Sequence, residues 1–269
     1  MNMLIILLLV VFIVLIFGGI LLSIEVAMRL GHRLLEKSHD LEHEIGERHR
    51  AQLRAETSLG EKELLLREIH HRVKNNMQIV SSLLRLQSRQ QDDPVTKAIL
   101  DDSRSRISAM ALVHENLYQP DNLAKVSLRP YIQELAMNLF ASYNIEPSRI
   151  VLITDVEPIS INIETATPCG LIINELVTNS LKYAFPGDRL GEIRIDFKRL
   201  ADGVSLQLRV ADNGVGLPAD LDVRRGKSLG LQLVVNLVEN QLQGELLVER
   251  GQGVAFLVTF KEIGYEKRI

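Results

Sequence analysis

The pattern of apolar and polar positions divides the chain into four parts, and the first is the simplest. Residues 3–24, MLIILLLVVFIVLIFGGILLSI, contain no charged side chain, and a helix needs about 20 apolar residues to cross the hydrocarbon core of a bilayer. We predict a transmembrane anchor over residues 1–24. A secretory signal peptide is disfavoured because no basic residue precedes the run, the run is too long, and no small-residue cleavage site follows.

Residues 25–62 form a charged, proline-free segment with a weaker apolar pattern. Apolar residues recur at about 3.5-residue spacing until Gly46 and the polar stretch ERHRAQ interrupt them, which predicts a helical linker with a short, imperfect coiled coil. Its histidines are interpreted as solvated positions of a charged helix and not as metal ligands. The spaced apolar residues are Leu30, Leu34, Leu41 and Ile45, and the histidines are His32, His39, His43 and His49.

Residues 63–120 have the spacing of two long amphipathic helices. Along the first helix one face is apolar when successive residues turn by about 100°. On this helical wheel His70 lies at the margin of the apolar face and His71 lies opposite its centre, so we predict that His71 is exposed. Glu68, Lys74 and Asn75 share the surface around it. The apolar face consists of Leu65, Leu66, Ile69, Val73, Met77, Val80, Leu83 and Leu84.

The second helix follows a break at Pro94 and completes an antiparallel hairpin. Such a hairpin cannot bury both apolar faces by itself. Pairing two copies into a four-helix bundle would bury them, so we predict a homodimer. The predicted buried residues of this helix are Ile99, Ile107, Met110, Ala111, Val113, His114 and Leu117.

Residues 125–262 mix shorter helices with alternating strands, which predicts an α+β sandwich with helices on one face of a mixed sheet, followed by a tail over residues 263–269. The stretch TPCGLIINELVTNSLKYAF is predicted as a helix with Thr167 as its cap and Pro168 at its first position. Two alternating segments flank Ala201, Asp202 and Gly203, which is typical of a β-hairpin. A last helix is predicted from Leu229 to Gln243, followed by two strands.

Composition narrows the candidate chemistry. The 269 residues are 46% hydrophobic with a net charge of −3, one cysteine and no tryptophan. A disulfide framework and a cysteine-based zinc site both need several thiols, and nothing indicates a basic nucleic-acid binder. We predict that Cys169 is a buried apolar residue. Arg29, Arg33 and Lys37 follow the anchor, so the positive-inside rule predicts that the rest of the chain is cytoplasmic.

Three stretches of the sandwich carry candidate chemistry. NELVTNSLKY places Glu175, Asn179 and Lys182 on neighbouring turns of one helix face, beside Tyr183. ADNGVGLP places an acid and two glycines directly after a strand. RRGKSLGLQLV is a glycine-containing loop that leads into a helix, whose N-terminal amides can bind phosphate. Each stretch is weak evidence alone, but their order along the chain is much stronger evidence.

Together HHRVKNNMQIVSSLLRLQ, NELVTNSLKY, DNGVG and SLGLQLV resemble bacterial sensor histidine kinases, in the subgroup related to the HWE kinases whose acceptor histidine precedes Arg. The resemblance covers roughly residues 60–260. It implies a dimerising phosphoacceptor hairpin and an ATPase domain of the gyrase, Hsp90 and MutL type. The implied reaction is autophosphorylation of a histidine with ATP and Mg²⁺, then transfer to an aspartate of a response regulator. It also implies a single-pass protein of the bacterial inner membrane.

Carried over residue by residue, the resemblance selects His71 as the acceptor and not His70, because the acceptor immediately precedes Arg72. The wheel selects the same residue independently. The resemblance also implies which residues bind the nucleotide. Asn179 would be the Mg²⁺ ligand, Glu175 the carboxylate near the γ-phosphate, and Asp212 the acceptor for the adenine amino group. Lys182 and Tyr183 would contact phosphate and sugar, and glycines would let the backbone pass close to the nucleotide or open the last loop: Gly214, Gly216 and Gly230.

The sequence departs from the family pattern in several places. HWE kinases carry a histidine where Asn174 stands and a later tryptophan, so this chain lies outside that group. Many histidine kinases place an acid after the acceptor, where Arg72 stands, and Glu68 becomes a hypothesis for the base. Asn75 resembles a position that guides water in kinases that also dephosphorylate their regulators. The ATP lid between residues 217 and 229 is short, and Lys227 and Ser228 replace glycines.

Two other functions remain open. A catalytically silent membrane adaptor would keep the fold for dimerisation and regulator binding, although intact Glu175, Asn179 and Asp212 argue against it. A different ATPase of the same fold could instead phosphorylate a protein serine, and an exposed His71 on a hairpin argues against that. Because the anchor leaves almost no residues outside the membrane, a separate partner protein is a candidate for the missing sensor.

Overall fold

The structure is a computed structural model, and it describes residues 2–116, 125–143, 145, 148–218, 221–224 and 228–263. The chain divides into two compact units, residues 1–64 and 65–269. Predictions for Leu117, for Lys227 and part of the ATP lid, and for the tail beyond Ile263 lie outside the described residues.

The first unit is helical. Helix α1 (Asn2–Arg89) begins here and continues through Gly46 without a break. Its described apolar side chains are exposed. This is the one helix among the described residues that is long and apolar enough to cross a membrane; the same test is passed by signal sequences and by core helices of soluble proteins. The coiled coil stays a prediction.

In the second unit α1 and α2 (Pro94–Asn116) form the expected antiparallel hairpin. Contacts near both ends set their register, since His70 lies against His114 and Ser88 donates to Asp101. Asp93 caps α2 by accepting from the backbone amide of Thr96 at 2.9 Å. Its hydrogen bonds with Thr96 lower the pKa of Asp93. Pro94 therefore starts the second helix, where its missing N–H costs nothing.

Within one copy the hairpin buries only part of its predicted apolar faces. On α1 the inward residues Val73, Met77 and Leu84 are half-buried, whereas Leu65, Leu66, Ile69, Val80 and Leu83 are exposed. On α2 Ile99 is exposed, and the buried residues are Ala109, Leu112 and Val113. The reason is that α2 packs against helices of the sandwich as well as against α1, so its buried face is turned away from the hairpin axis.

The sandwich contains a five-stranded sheet in the order β2-β4-β5-β7-β6. Strand β2 pairs parallel with β4, and every other pair in this sheet is antiparallel. The predicted hairpin joins β4 and β5, and Gly203 takes φ +72° in its turn. Strands β1 and β3 form a small separate antiparallel pair. The strands are β1 (Lys125–Ser127), β2 (Ile150–Val156), β3 (Ser160–Asn162), β4 (Gly191–Arg199), β5 (Ser205–Asp212), β6 (Glu245–Gly251) and β7 (Gly253–Lys261).

Helices α3 (Leu128–Ser142), α4 (Ile163–Asn179) and α5 (Leu229–Asn236) supply the other side of the core. Both α4 and α5 continue into π-helical turns, Ser180–Ala184 and Leu237–Gln241. One continuous cluster of buried side chains joins the sheet, these helices and the buried face of α2. As predicted, Cys169 is buried.

The predicted start of α4 is wrong. The helix begins at Ile163, and the side chain of Asn162 caps it by accepting from the backbone amide of Thr165 at 2.8 Å. Thr167 instead donates to the carbonyl of Ile163, and Pro168 lies inside the helix. Asn162 is a strong cap at the end of β3, so the helix forms upstream of the proline.

Candidate active site

The two adjacent histidines occupy different environments on α1. His71 is exposed, while His70 is half-buried with its Nδ1 3.1 Å from Nδ1 of His114. Burial lowers the pKa of His70. Burial, followed by the charge of His70, lowers the pKa of His114. A close pair of ring nitrogens needs one donor and one acceptor, so at least one of these two rings is neutral.

Glu68, the hypothetical base for His71, is engaged elsewhere. Its carboxylate accepts from Nε of Arg72 at 2.8 Å, in an exposed i,i+4 pair. Lys74, also part of the predicted patch, pairs with Glu115 of α2. The surface around His71 therefore carries charged side chains that are already paired along or across the hairpin.

The NELVTNSLKY stretch lies on α4 and on the π-helical turn that follows it. Glu175 is buried, Asn179 and Lys182 are half-buried, and Tyr183 is exposed. All four line one small cavity together with Gly230. π-Helical turns occur often at functional sites, and here the turn sets the direction of Lys182 and Tyr183.

Helix α2 contacts this motif through three polar side chains. Arg106 donates to both oxygens of Glu175, from Nε at 2.7 Å and from Nη2 at 2.8 Å. Lys182 donates to Asp102 at 2.5 Å, and Ser105 donates to Oδ1 of Asn174 at 2.7 Å. Sequence reasoning missed these α2 residues, because the polar run DDSRSR looks like any solvated helix face.

The ionisation of this group follows from the contacts. The hydrogen bond to Glu175 raises the pKa of Arg106. Burial acts to lower the pKa of Lys182, but the hydrogen bond to Asp102 and the negative charges nearby outweigh it, so the pKa of Lys182 is raised. Both cations therefore stay charged at neutral pH.

The ADNGVGLP stretch begins at the end of strand β5. Asp212 is buried, and its Oδ2 accepts from the hydroxyl of Ser180 at 2.8 Å while its Oδ1 accepts from the backbone amide of Gly214 at 2.9 Å. A carboxylate has about four acceptor positions, so Asp212 keeps capacity for a further donor. Ser180, which holds Asp212 from α4, was not singled out from the sequence.

The glycines of the site are places where the chain has no room for a side chain. A Cβ on Gly214 would lie 2.3 Å from the carbonyl oxygen of Ala184, and one on Gly230 would lie 2.6 Å from Oε2 of Glu175. Gly216 takes φ +76°, where a side chain is strained. Gly253, which the motifs did not include, takes φ +90° and abuts the carbonyl of Asp212.

The side chains of the site indicate how the predicted Mg²⁺ could be bound. No group of three or more His, Cys, Asp or Glu side chains that could hold a metal occurs among the described residues. Asn179 supplies an amide oxygen, and Mg²⁺ bound through few protein ligands takes the rest from water and substrate phosphates. The residues fit a nucleotide-bound cation and not a resident metal.

The cavity beside Glu175 and Asn179 holds about 140 Å³. Pockets for small ligands usually measure roughly 300–1,000 Å³. Ile99, Asp102 and Arg106 of α2 form one wall of this cavity. As it stands, helix α2 covers the part of the site that contains Glu175 and Lys182.

Comparison with known families assigns two segments. A histidine kinase model matches residues 68–143. A model described as histidine kinase-, DNA gyrase B- and HSP90-like ATPase matches residues 165–263. The first segment contains His71, and the second contains the three stretches around Glu175, Asp212 and Gly230.

Similar proteins have related names. A sensor histidine kinase, PdtaS of Mycobacterium tuberculosis, is 37% identical over 212 residues, which are 76% of this chain and 41% of that protein. Blue-light-activated histidine kinase 2 of Erythrobacter litoralis is 29% identical over 69% of this chain and 53% of its own. The chain therefore spans about half of these relatives or less. The solved histidine kinase domain of the Erythrobacter litoralis EL346 kinase has 25% identity and a TM-score of 0.55, over 74% of this chain and 92% of that one.

Proposed function

The chain belongs to the histidine kinase family, and from this premise we propose that it phosphorylates its own His71 with ATP and passes the phosphoryl group to an aspartate of a response regulator. The observation that carries the proposal is the exposure of His71 on the hairpin of a chain whose ATPase domain groups Glu175, Asn179 and Lys182 around one cavity. A buried acceptor could not reach a nucleotide held by another domain.

In the first step a ring nitrogen of His71 attacks the γ-phosphorus of ATP. The N–P bond forms, the bond to the bridging oxygen breaks, and ADP leaves. Glu175, the carboxylate that lines the cavity beside Asn179, takes the imidazole proton. Lys182 offsets charge on the phosphates, and Asp212 accepts from the adenine amino group. Mg²⁺, held by Asn179 and the phosphates, would neutralise charge that builds up in the transition state. In the second step a carboxylate oxygen of the regulator's aspartate attacks the phosphorus of phosphorylated His71; the O–P bond forms, the N–P bond breaks, and the imidazole leaves and takes up a proton.

We also propose that the protein is anchored in the bacterial inner membrane by residues 1–24, with the kinase part in the cytoplasm. Support comes from the uncharged apolar run and the basic residues that follow it. The exposed apolar residues of the hairpin, including Val80 and Leu83, support a homodimer in which they are covered.

The test uses the full chain in detergent with γ-labelled ATP and Mg²⁺. We expect acid-labile label on the wild type and none on His71→Ala. His70→Gln is the matched control, because it lies next to His71, and a glutamine can still bond to His114. If label is lost only in His70→Gln, His71 is not the acceptor.

The same experiment separates the two other functions. Nucleotide binding without label in wild type would favour the silent adaptor. Label that survives acid would favour a kinase for protein serine, since phosphohistidine is acid-labile and phosphoserine is not. Either result would contradict the proposed reaction.

A further inference from the structure

Helix α2 contacts the catalytic face of α4 through two ion pairs and one hydrogen bond. We name this set the α2–α4 contact; it joins Asp102 to Lys182, Ser105 to Asn174, and Arg106 to Glu175. We propose that the α2–α4 contact is autoinhibitory and that the kinase must break it before His71 can be phosphorylated. This inference rests on the proposed function, since it concerns the same Glu175 and Lys182.

The contact uses the groups that the reaction needs. Both carboxylate oxygens of Glu175 accept from Arg106, and Oε1 also accepts from the side-chain amide of Asn174, so an imidazole that approaches Glu175 must compete with these donors. The ammonium group of Lys182 is held by Asp102 on the same helix face. In the cavity beside Asn179, the side of Glu175 and Lys182 is walled by Ile99, Asp102 and Arg106 of α2.

The contact also holds Glu175 away from the acceptor. The ring of His114 on α2 lies against His70, and this contact fixes the position of the adjacent His71 along the hairpin axis. Arg106 stands eight residues before His114 on α2, a distance of about 12 Å along a helix axis. Transfer needs reacting atoms about 3–3.5 Å apart. The ATPase domain must therefore leave α2 before its nucleotide can meet His71 of this protomer.

The charges on the two faces are complementary. Asp102 and Arg106 are one turn apart on α2, and they meet Lys182 and Glu175, which have the opposite signs and lie along α4 and its π-helical turn. The Arg106–Glu175 pair is well covered, with 18% and 7% of the two side chains exposed. Removing one partner of such a pair leaves the other charge without compensation, so single substitutions should favour the separated state.

The main test is Arg106→Ala in the full chain. We expect its affinity for an ATP analogue and its initial rate of labelling to rise by roughly tenfold to a hundredfold, because a closed site lowers the apparent affinity by the fraction of open molecules. Arg106→Lys should lie in between, since lysine cannot donate bidentately. Arg104→Ala is the matched control: Arg104 lies on the same helix, pairs only loosely with Asp101 at 3.7 Å, and should change neither quantity.

A second variant separates inhibition from catalysis. Glu175→Gln weakens the same ion pair from the other side, so we expect tighter nucleotide binding together with loss of label. A residue with a purely catalytic role would lose label without a gain in affinity. Asp102→Asn should raise the affinity as well, by releasing Lys182.

The outcomes distinguish this inference from the kinase assignment. If Arg106→Ala leaves affinity and rate unchanged, or lowers the affinity, the α2–α4 contact is not inhibitory, while labelled wild type would keep the kinase. If affinity rises in Arg106→Ala and Glu175→Gln but no variant takes label, the contact closes the nucleotide site and the kinase assignment fails. Circular dichroism of each variant checks that the fold is kept, and Arg106→Lys replaces Arg106→Ala if that variant unfolds.

Discussion

In helix α4, thirteen of seventeen residues are buried; in the hairpin part of α1, from Leu65 to Arg89, only Ser88 is. Both segments are rich in leucine and isoleucine. The difference lies in their surroundings, since α4 is enclosed by the sheet, α3 and α2, whereas the apolar residues of α1 on the side away from α2 face no other part of the described chain.

The comparison shows that burial in this chain follows the packing of layers and not the apolar content of a helix. The ATPase domain completes its own core, and it recruits α2 for part of it. The hairpin has apolar surface left over, and an exposed patch of this kind marks a contact site. Substitutions in the two regions should therefore have different effects, and the following predictions are ordered from the largest effect to the smallest.

Phe197→Ala tests the ATPase domain, which completes its own core. Phe197 is fully buried on β4 and packs edge-on against Phe260, with 6.2 Å between the two ring centroids. Truncating it leaves a cavity, so we expect a loss of about 3–5 kcal/mol in the free energy of unfolding, measured by urea denaturation. Leu247→Ala on β6, where the side chain is 58% exposed, is the control. A loss below about 1 kcal/mol for Phe197→Ala would end the claim of a tightly packed core.

Gly214→Ala tests the packing beneath the nucleotide motif. The added Cβ would collide with the backbone of Ala184, so we expect a loss of about 1–3 kcal/mol in unfolding free energy and weaker nucleotide binding. Gly251→Ala is a suitable comparison, because nothing lies within 4 Å of its Cβ position. Equal stability of the two variants would mean that the DNGVG loop moves freely.

Leu83→Ala tests the hairpin, whose apolar surface is left exposed. Its side chain is 54% exposed on α1, so we expect little change in unfolding of the ATPase domain but about tenfold weaker association of two copies, because a buried leucine contributes about 1.5–3 kcal/mol. Analytical ultracentrifugation of the full chain in detergent measures this. Gln87→Ala, an exposed polar position on the same helix, should not alter association. Unchanged association of Leu83→Ala would show that a different surface pairs the copies.

Acidification should weaken the hairpin, with the smallest effect of the four. The pKa values of His70 and His114 are lowered by burial, so the unfolded state binds more protons in the window just below their ordinary pKa of about 6.5. Stability is therefore present above that pKa and falls as pH decreases below it. Urea denaturation at pH 7.5 and 5.5 measures the change, and the double variant His70→Gln, His114→Gln should show a smaller difference. An equal difference would assign the pH dependence to other groups.

Much of the fold was predictable from local pattern. The β4–β5 hairpin, the exposed position of His71 and the burial of Cys169 follow from periodicity, turn chemistry and residue type. The start of α4 was placed too late, because Pro168 is a strong local signal for a helix start, and the stronger cap at Asn162 depends on where β3 ends. Ser180 and Gly253 were missed because each acts only on Asp212, which neither of them adjoins in the sequence.

By itself the sequence determined the family, the hairpin and sandwich, and a short set of polar residues whose spacing places them on one face of a helix. Only the tertiary structure decided which apolar face of the hairpin is covered and that Arg106 and Asp102 engage Glu175 and Lys182. The physical reason is how far apart along the chain the interacting residues lie. Helix and strand formation depends on neighbours a few positions apart, whereas an ion pair between residues 69 positions apart depends on how two finished elements pack.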